Sequence, residues 1–180
     1  MYLDDALLYN QGYMISINDL DSPLFYLFDY DSRSFKINMS FQHFHQFHEI
    51  HILLSGRASH IIEGDYYTLQ PDDIVLLRPS LLHSTEYPAG GDCRRLIINF
   101  RVPDDSPVLH EMLQSCLQPF GAEVPIYRFT GETRAQAFSH LNEIFTLGKQ
   151  PMTPLTQQFI HCHFLQFLAT VAQHAGESSY

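Results

Sequence analysis

Tryptophan is absent from these 180 residues, and the three cysteines, Cys93, Cys116 and Cys162, lie far apart. With no Cys-x-x-Cys pair, neither a zinc ribbon nor a thioredoxin-like motif is indicated. An odd count fits reduced, mostly buried thiols. No apolar run approaches the ~20 residues that span a bilayer, so no membrane association is expected. The start, Met1-Tyr-Leu-Asp-Asp, is acidic and lacks the basic residues of a signal peptide, so the expected location is cytoplasmic. No Gly-x-Ser-x-Gly elbow and no phosphate-cradling glycine loop occurs, which removes the support for nucleophilic or nucleotide chemistry. Basic residues are few: ten Lys and Arg face twenty Asp and Glu, for a net charge of −10. A surface of that sign repels phosphate backbones, so these residues are not expected to grip nucleic acid themselves.

What is present is apolar and aromatic. Hydrophobic residues make up 45%, with 14 Phe and 10 Tyr, enough for the core of one domain. The chain changes character near residue 104. Before it come roughly nine short β-rich segments with close turn signals, among them 13–17, 24–28, 35–41, 49–54, 58–62, 66–69, 74–77, 83–87 and 95–100. That spacing predicts a sandwich, jelly roll or barrel. Beyond it, three helices are expected. The first opens with Ser106-Pro107 and stops at Pro119, the second covers 132–147 with Gly148 as its cap, and the third runs from Thr153 to about 174. Residues 125–129 suit one more strand. The third helix carries two apolar stripes, one through Leu155, Phe159 and Cys162, the other through Ile160, Phe164 and Phe167. Either the helix lies deep between the barrel and another helix, or one face meets a second copy, with Phe164 and Phe167 then the expected contact.

The sharpest local signal is Phe41-Gln-His43-Phe-His45-Gln-Phe-His48-Glu49-Ile-His51. If it is a strand, His43, His45, Glu49 and His51 share one face, while Ile50, Ile52 and Leu54 share the other. Imidazoles and a carboxylate inside a barrel are costly unless they bind a metal, a ligand or one another. Two His and a carboxylate suit a divalent transition metal such as iron, manganese, zinc or nickel, and His83 is the candidate fourth ligand. The plainer alternative is a hydrogen-bonded polar floor to a ligand pocket. Arg57, Arg78 and Arg95 are placed where a guanidinium could reach a carboxylate or hydroxyl of a ligand at the barrel mouth. His48 is expected to pack, as are Tyr13, Phe25, Phe41 and Phe47. His60, His110, His140 and His174 are read as surface or packing residues. His161 and His163, at i and i+2 on a helix, point to different sides.

His43-x-His45, Glu49 and Gly56 match the spacing of the first cupin motif, and Asp72 to His83 resembles the second. Ile37, Asp72 and Ser80 stand where those motifs usually carry glycine. More narrowly, residues 45–56, 62–79 and 95–100 resemble the N-terminal domain of AraC-type transcription regulators. The resemblance covers about residues 15–175. It implies a mainly β fold, a cupin-type jelly-roll barrel over 1–104, followed by C-terminal α-helices over 105–176 that pack on it. It further implies a small-molecule effector inside the barrel, a sugar among the candidates, and a homodimer formed through the C-terminal helices. Ligand-binding residues would be His43, His45, Glu49, His51, Arg57, His83 and Arg95, with His43, His45, Glu49 and His83 able to hold a metal. DNA would be contacted only through a C-terminal region of two helix-turn-helix units that these residues do not include. The alternatives are a metal-dependent cupin enzyme, a dioxygenase or isomerase, using the three His and one Glu, and a free-standing sugar-binding or adaptor cupin.

Overall fold

A computed structural model describes residues 13–22, 25–33, 38–101 and 107–180. Strand β1 is Tyr13–Ile17, β2 Tyr26–Arg33, β3 His48–Ser55, β4 Ala58–Ile62, β5 Asp65–Leu69, β6 Ile74–Leu77, β7 His83–Glu86, β8 Cys93–Phe100 and β9 Ile126–Tyr127. Helix α1 is Pro107–Leu117, α2 Gly131–Gly148 and α3 Pro154–Gln173. The strands form two antiparallel sheets, ordered β1-β2-β8-β3-β6-β9 and β5-β4-β7.

Period-2 alternation splits the larger sheet cleanly. Outward residues Ile50, Ile52 and Leu54 of β3 join Phe28 of β2, Leu96, Ile98 and Phe100 of β8, and Phe138, Leu141, Phe145, Phe164 and Phe167 of the helices in one core. The inward face, with Leu53, Val75 and Leu77, closes over Ala58, Ile62, Leu69 and Leu81 in a second core inside the roll. β3 is thus covered on both sides, and its residues from Ile50 to Leu54 are all buried.

The helices keep most of their expected bounds. Thr153 caps α3, its hydroxyl accepting from Thr156 N at 3.1 Å, and Pro154 sits at the first turn. Gly148 does not cap α2 as expected; it is the last helical residue and Lys149 follows as the cap. The expected strand over 35–41 is not formed at 38–41, and 34–37 lie outside the described residues, as does Ser106. Phe41 is 65% exposed and is not a core residue. On α3 the two stripes have opposite fates. Phe164 and Phe167 are fully buried against the sheet, whereas Leu155 and Phe159 are 65% and 48% exposed. Any contact with a second copy through this helix must use the Leu155–Phe159–Cys162 stripe, because the other is spent on the core. Cys162 is exposed, and only Cys93 is fully buried.

Two arginines clamp the helical segment to the start of β6. Arg128 grips the fully buried Asp73 through Nε and Nη2, at 2.7 and 2.8 Å, and Arg134 pairs with Asp72. Arg128 also holds the chain's last residues. Its N–H donates to Ser178 Oγ at 2.9 Å, its carbonyl accepts from Ser179 N at 3.0 Å, and its guanidinium lies over the Tyr180 ring at 5.0 Å.

Candidate functional site

Inward-facing residues at one end of the roll are polar. Glu49 and His51 come from β3, His60 from β4, His83 and Thr85 from β7 and Arg95 from β8. The segment before β3 is not strand, so His43 and His45 are not brought in by alternation. They are brought in by backbone contacts: His43 and His83 exchange N–H···O bonds of 2.8 and 2.9 Å, and Ser80 N donates to His45 O at 2.8 Å. Ser80 and Asp72 both have left-handed backbones, φ +63° and +72°. These are the two positions where the second cupin motif usually carries glycine, so the turn geometry is kept with other residues, at some conformational cost.

His45, Glu49 and His83 offer one ligand atom each, all within 4.8 Å of one another. His45 Nε2 is 3.2 Å from Glu49 Oε2, and His83 Nε2 is 4.0 Å from Glu49 Oε1. Each imidazole donates its Nδ1–H to a carbonyl, His45 to Phe47 O and His83 to Leu81 O, both at 2.8 Å. Carbonyls only accept, so Nδ1 holds the proton and Nε2 turns toward the carboxylate. Only a second proton or a cation can then sit between Nε2 and Glu49. Outer hydrogen bonds to backbone carbonyls are the usual support of metal-binding histidines, and the donor set suits a borderline divalent ion. His43 lies outside this three-atom set. Its ring is 4.5 Å from that of His83 and 6.2 Å from that of His45.

The electrostatics follow from burial. Burial opposes charge on Glu49, but the His45 hydrogen bond and the nearby imidazoles outweigh it and hold its carboxyl below the usual range. Burial lowers His83 and His43, with Glu49 pulling the other way. His60 is lowered to about 3, again first by burial.

A cavity of about 280 Å³ opens beside this cluster, lined by Met39, His43, Glu49, His83, Thr85, Tyr87 and Arg95. Arg95 reaches it while its Nε donates to Asp31 at 2.9 Å.

Comparison with known proteins gives the family. Residues 36–145 match the model of the AraC-like ligand binding domain. The chain belongs to that family. No curated protein matches the chain. Among solved structures, apo ToxT K231A from Vibrio cholerae superposes with a TM-score of 0.55 at 14% identity, covering 83% of this chain and 57% of that one. A cupin protein from Bacteroides fragilis gives 0.43 at 20% identity, over 53% and 82% of the two chains. An RmlC-like cupin from Methanocaldococcus jannaschii with a double-stranded β-helix fold gives 0.41 at 8%, over 53% and 86%. The architecture is a cupin-type jelly roll with C-terminal helices. No described helix is long and apolar enough to cross a membrane.

Within this AraC-like domain the expected site residues separate. His43, Glu49, His83 and Arg95 meet at the cavity, with His45 against Glu49. Arg57 does not: it is exposed and outside the lining, because it follows the Gly56 turn at the far end of β3. Arg78 is also exposed, 3.8 Å from Glu63, and lines a different recess. His51 faces inward as alternation requires but is fully buried against His60, not on the cavity wall. His60 was read as surface or packing; it is fully buried and within hydrogen-bond reach of Thr85. The alternation Ala58-x-His60-x-Ile62 was its sequence signal. His48 packs on Phe100 and Phe120 as expected, its ring 5.0 and 5.1 Å from theirs. Burial lowers it to about 4. His161 and His163 diverge as expected: His161 Nδ1 is hydrogen-bonded with the Tyr26 hydroxyl, and His163 faces His140.

Proposed function

We propose that this chain is the effector-sensing and dimerisation part of an AraC-type transcription regulator. The supporting observation is the roughly 280 Å³ cavity in the polar end of the roll, where Glu49, His83, Thr85 and Arg95 converge from two strands of one sheet and one of the other. A cavity of that size holds a small molecule and lies near the lower bound for ligand pockets. A ligand that favours one of two arrangements of the protein shifts their populations by its differential affinity, and that is all a sensor requires. DNA contact would belong to a region outside these residues. A homodimer would form through the exposed Leu155–Phe159–Cys162 face of α3, which is too apolar to suit open water.

A divalent transition metal fits the site, with His45, Glu49 and His83 as the residues that would hold it and His43 close by. When bound, the ion supplies a Lewis-acidic anchor for an oxygen of the ligand. The chain's own contribution is the fixed Nδ1–H···O=C bonds that aim both imidazoles. The same arrangement favours a metal-dependent enzyme, a dioxygenase or isomerase, as the second reading.

Native mass spectrometry and metal analysis of the purified chain separate these readings. A co-purifying small molecule, or an empty cavity in a stable dimer, is expected for the sensor. Stoichiometric iron or manganese with turnover that disappears in His45→Ala would overturn it in favour of the enzyme. Zinc titrated into the chain is expected to bind, and Glu49→Gln is expected to weaken it by well over tenfold; equal affinity would remove the metal site.

A further inference from the structure

His60 is not itself part of the cavity lining, yet it touches a residue that is. It faces Thr85 directly across the β4–β7 pair, and its Nε2 lies 2.9 Å from Thr85 Oγ1. Its Nδ1 has no hydrogen-bond partner among the described residues. The ring is fully buried, with the equally buried His51 ring packed edge-on at 4.7 Å. Thr85 lines the cavity beside Arg95.

A neutral imidazole carries one N–H, and its position decides what Thr85 can offer. With the proton on Nε2, His60 donates to Thr85 Oγ1 and the hydroxyl hydrogen is left for the cavity. With the proton on Nδ1, Thr85 must donate to His60, and a buried N–H is left without an acceptor. Buried orphan donors are rarer than buried orphan acceptors, so the first arrangement is favoured. Arg95, bonded to Asp31 through Nε, supplies a second set of donors on the same wall.

We infer that His60 is a positioning residue. Held as the Nε2–H tautomer, it turns the Thr85 hydroxyl hydrogen into the cavity, so that the ligand is read there through an accepting oxygen, a carboxylate or carbonyl, placed between Thr85 and Arg95. This rests on the cavity being the effector site, but the tautomer itself is measured with neither effector nor metal present.

The test is the long-range ¹H–¹⁵N imidazole spectrum of the 180-residue chain near neutral pH. His60 is expected to show the Nε2–H pattern; an Nδ1–H pattern overturns the inference. Thr85→Val is expected to move both His60 ring nitrogens, and Thr85→Ser to restore them, with melting curves showing both variants folded. Unmoved nitrogens in Thr85→Val also overturn it. Acetate, the smallest carboxylate probe, is expected to shift the His60 Nε2 and Arg95 Nε signals in the parent and not in Thr85→Val. No response to acetate, or a response only to methylammonium, which can donate but not accept, removes the acceptor assignment. If Glu49→Gln proves neutral for zinc, the metal reading fails while the tautomer result stands.

Discussion

Replacing Phe164 by alanine should separate the two faces of α3. Phe164 is 1% exposed, and its ring meets those of Tyr26, Phe28 and Phe100 at centroid distances of 5.3, 5.7 and 4.9 Å, all edge to face. Truncating a buried phenylalanine costs about 3–5 kcal/mol, and aromatic pairs add about 0.5–1.5 kcal/mol each beyond area. Three such partners put Phe164→Ala near the top of that range, about 4–5 kcal/mol. For a chain of this size that is a fall in Tm of roughly 8–20 °C. Phe159, one turn earlier and 48% exposed, should cost the fold within about 0.5 kcal/mol when changed to glutamate. Its effect should appear instead in the molar mass. Urea midpoints and light scattering on both variants provide the assay. A Phe164→Ala cost under about 1.5 kcal/mol, or a Phe159→Glu cost equal to it, would refute the division into a core stripe and an outer stripe. A dimer unmoved by Phe159→Glu would refute the contact face alone.

Arg128→Ala strands the fully buried Asp73 carboxylate, so a loss of about 3–5 kcal/mol is expected in urea unfolding; a change below about 1 kcal/mol would show that the ion pair holds little. Acid should destabilise the chain early. His48 and His60 are lowered to about 4 and about 3, chiefly by burial. The unfolded chain therefore takes up those protons first as pH falls below ~6.5, and stability declines by up to about 1.4 kcal/mol per pH unit for each. Equal urea midpoints at about pH 7 and about pH 5 would contradict this. At Gly56, φ is +88° and an added Cβ would lie 2.9 Å from Cys93 Sγ. Gly56→Ala should cost more than about 1 kcal/mol, and a neutral effect would mean the turn relaxes freely.

Much of this molecule was legible in the order of its residues. Alternation in Glu49-Ile-His-Ile-Leu-Leu54 places Glu49 and His51 inward and Ile50 and Ile52 outward, as the structure has them. The join of His83 to His45 and Glu49 followed from motif spacing. It was not visible that His43 and His45 arrive on irregular chain, since their positions depend on backbone bonds to His83 and Ser80, contacts nearly forty residues distant. Periodicity found both stripes of α3 but could not say which meets the sheet, because Leu155 and Phe164 are equally apolar and only the partner surface distinguishes them. His60, read as a surface or packing residue, is a packing one. Alternation with Ala58 and Ile62 marks it as inward, but its meaning comes from Thr85 across the sheet and His51 packed against it. Arg57 shows the converse: its proximity to the motif in sequence is undone by the turn at Gly56.

The grip of Arg128 on Ser178, Ser179 and Tyr180 has a practical side. A fluorophore or reporter protein fused after Tyr180 would leave the surface at a set place and heading, held by two backbone groups of Arg128 and by its guanidinium over the Tyr180 ring. Its anisotropy would therefore follow the tilt of the roll itself.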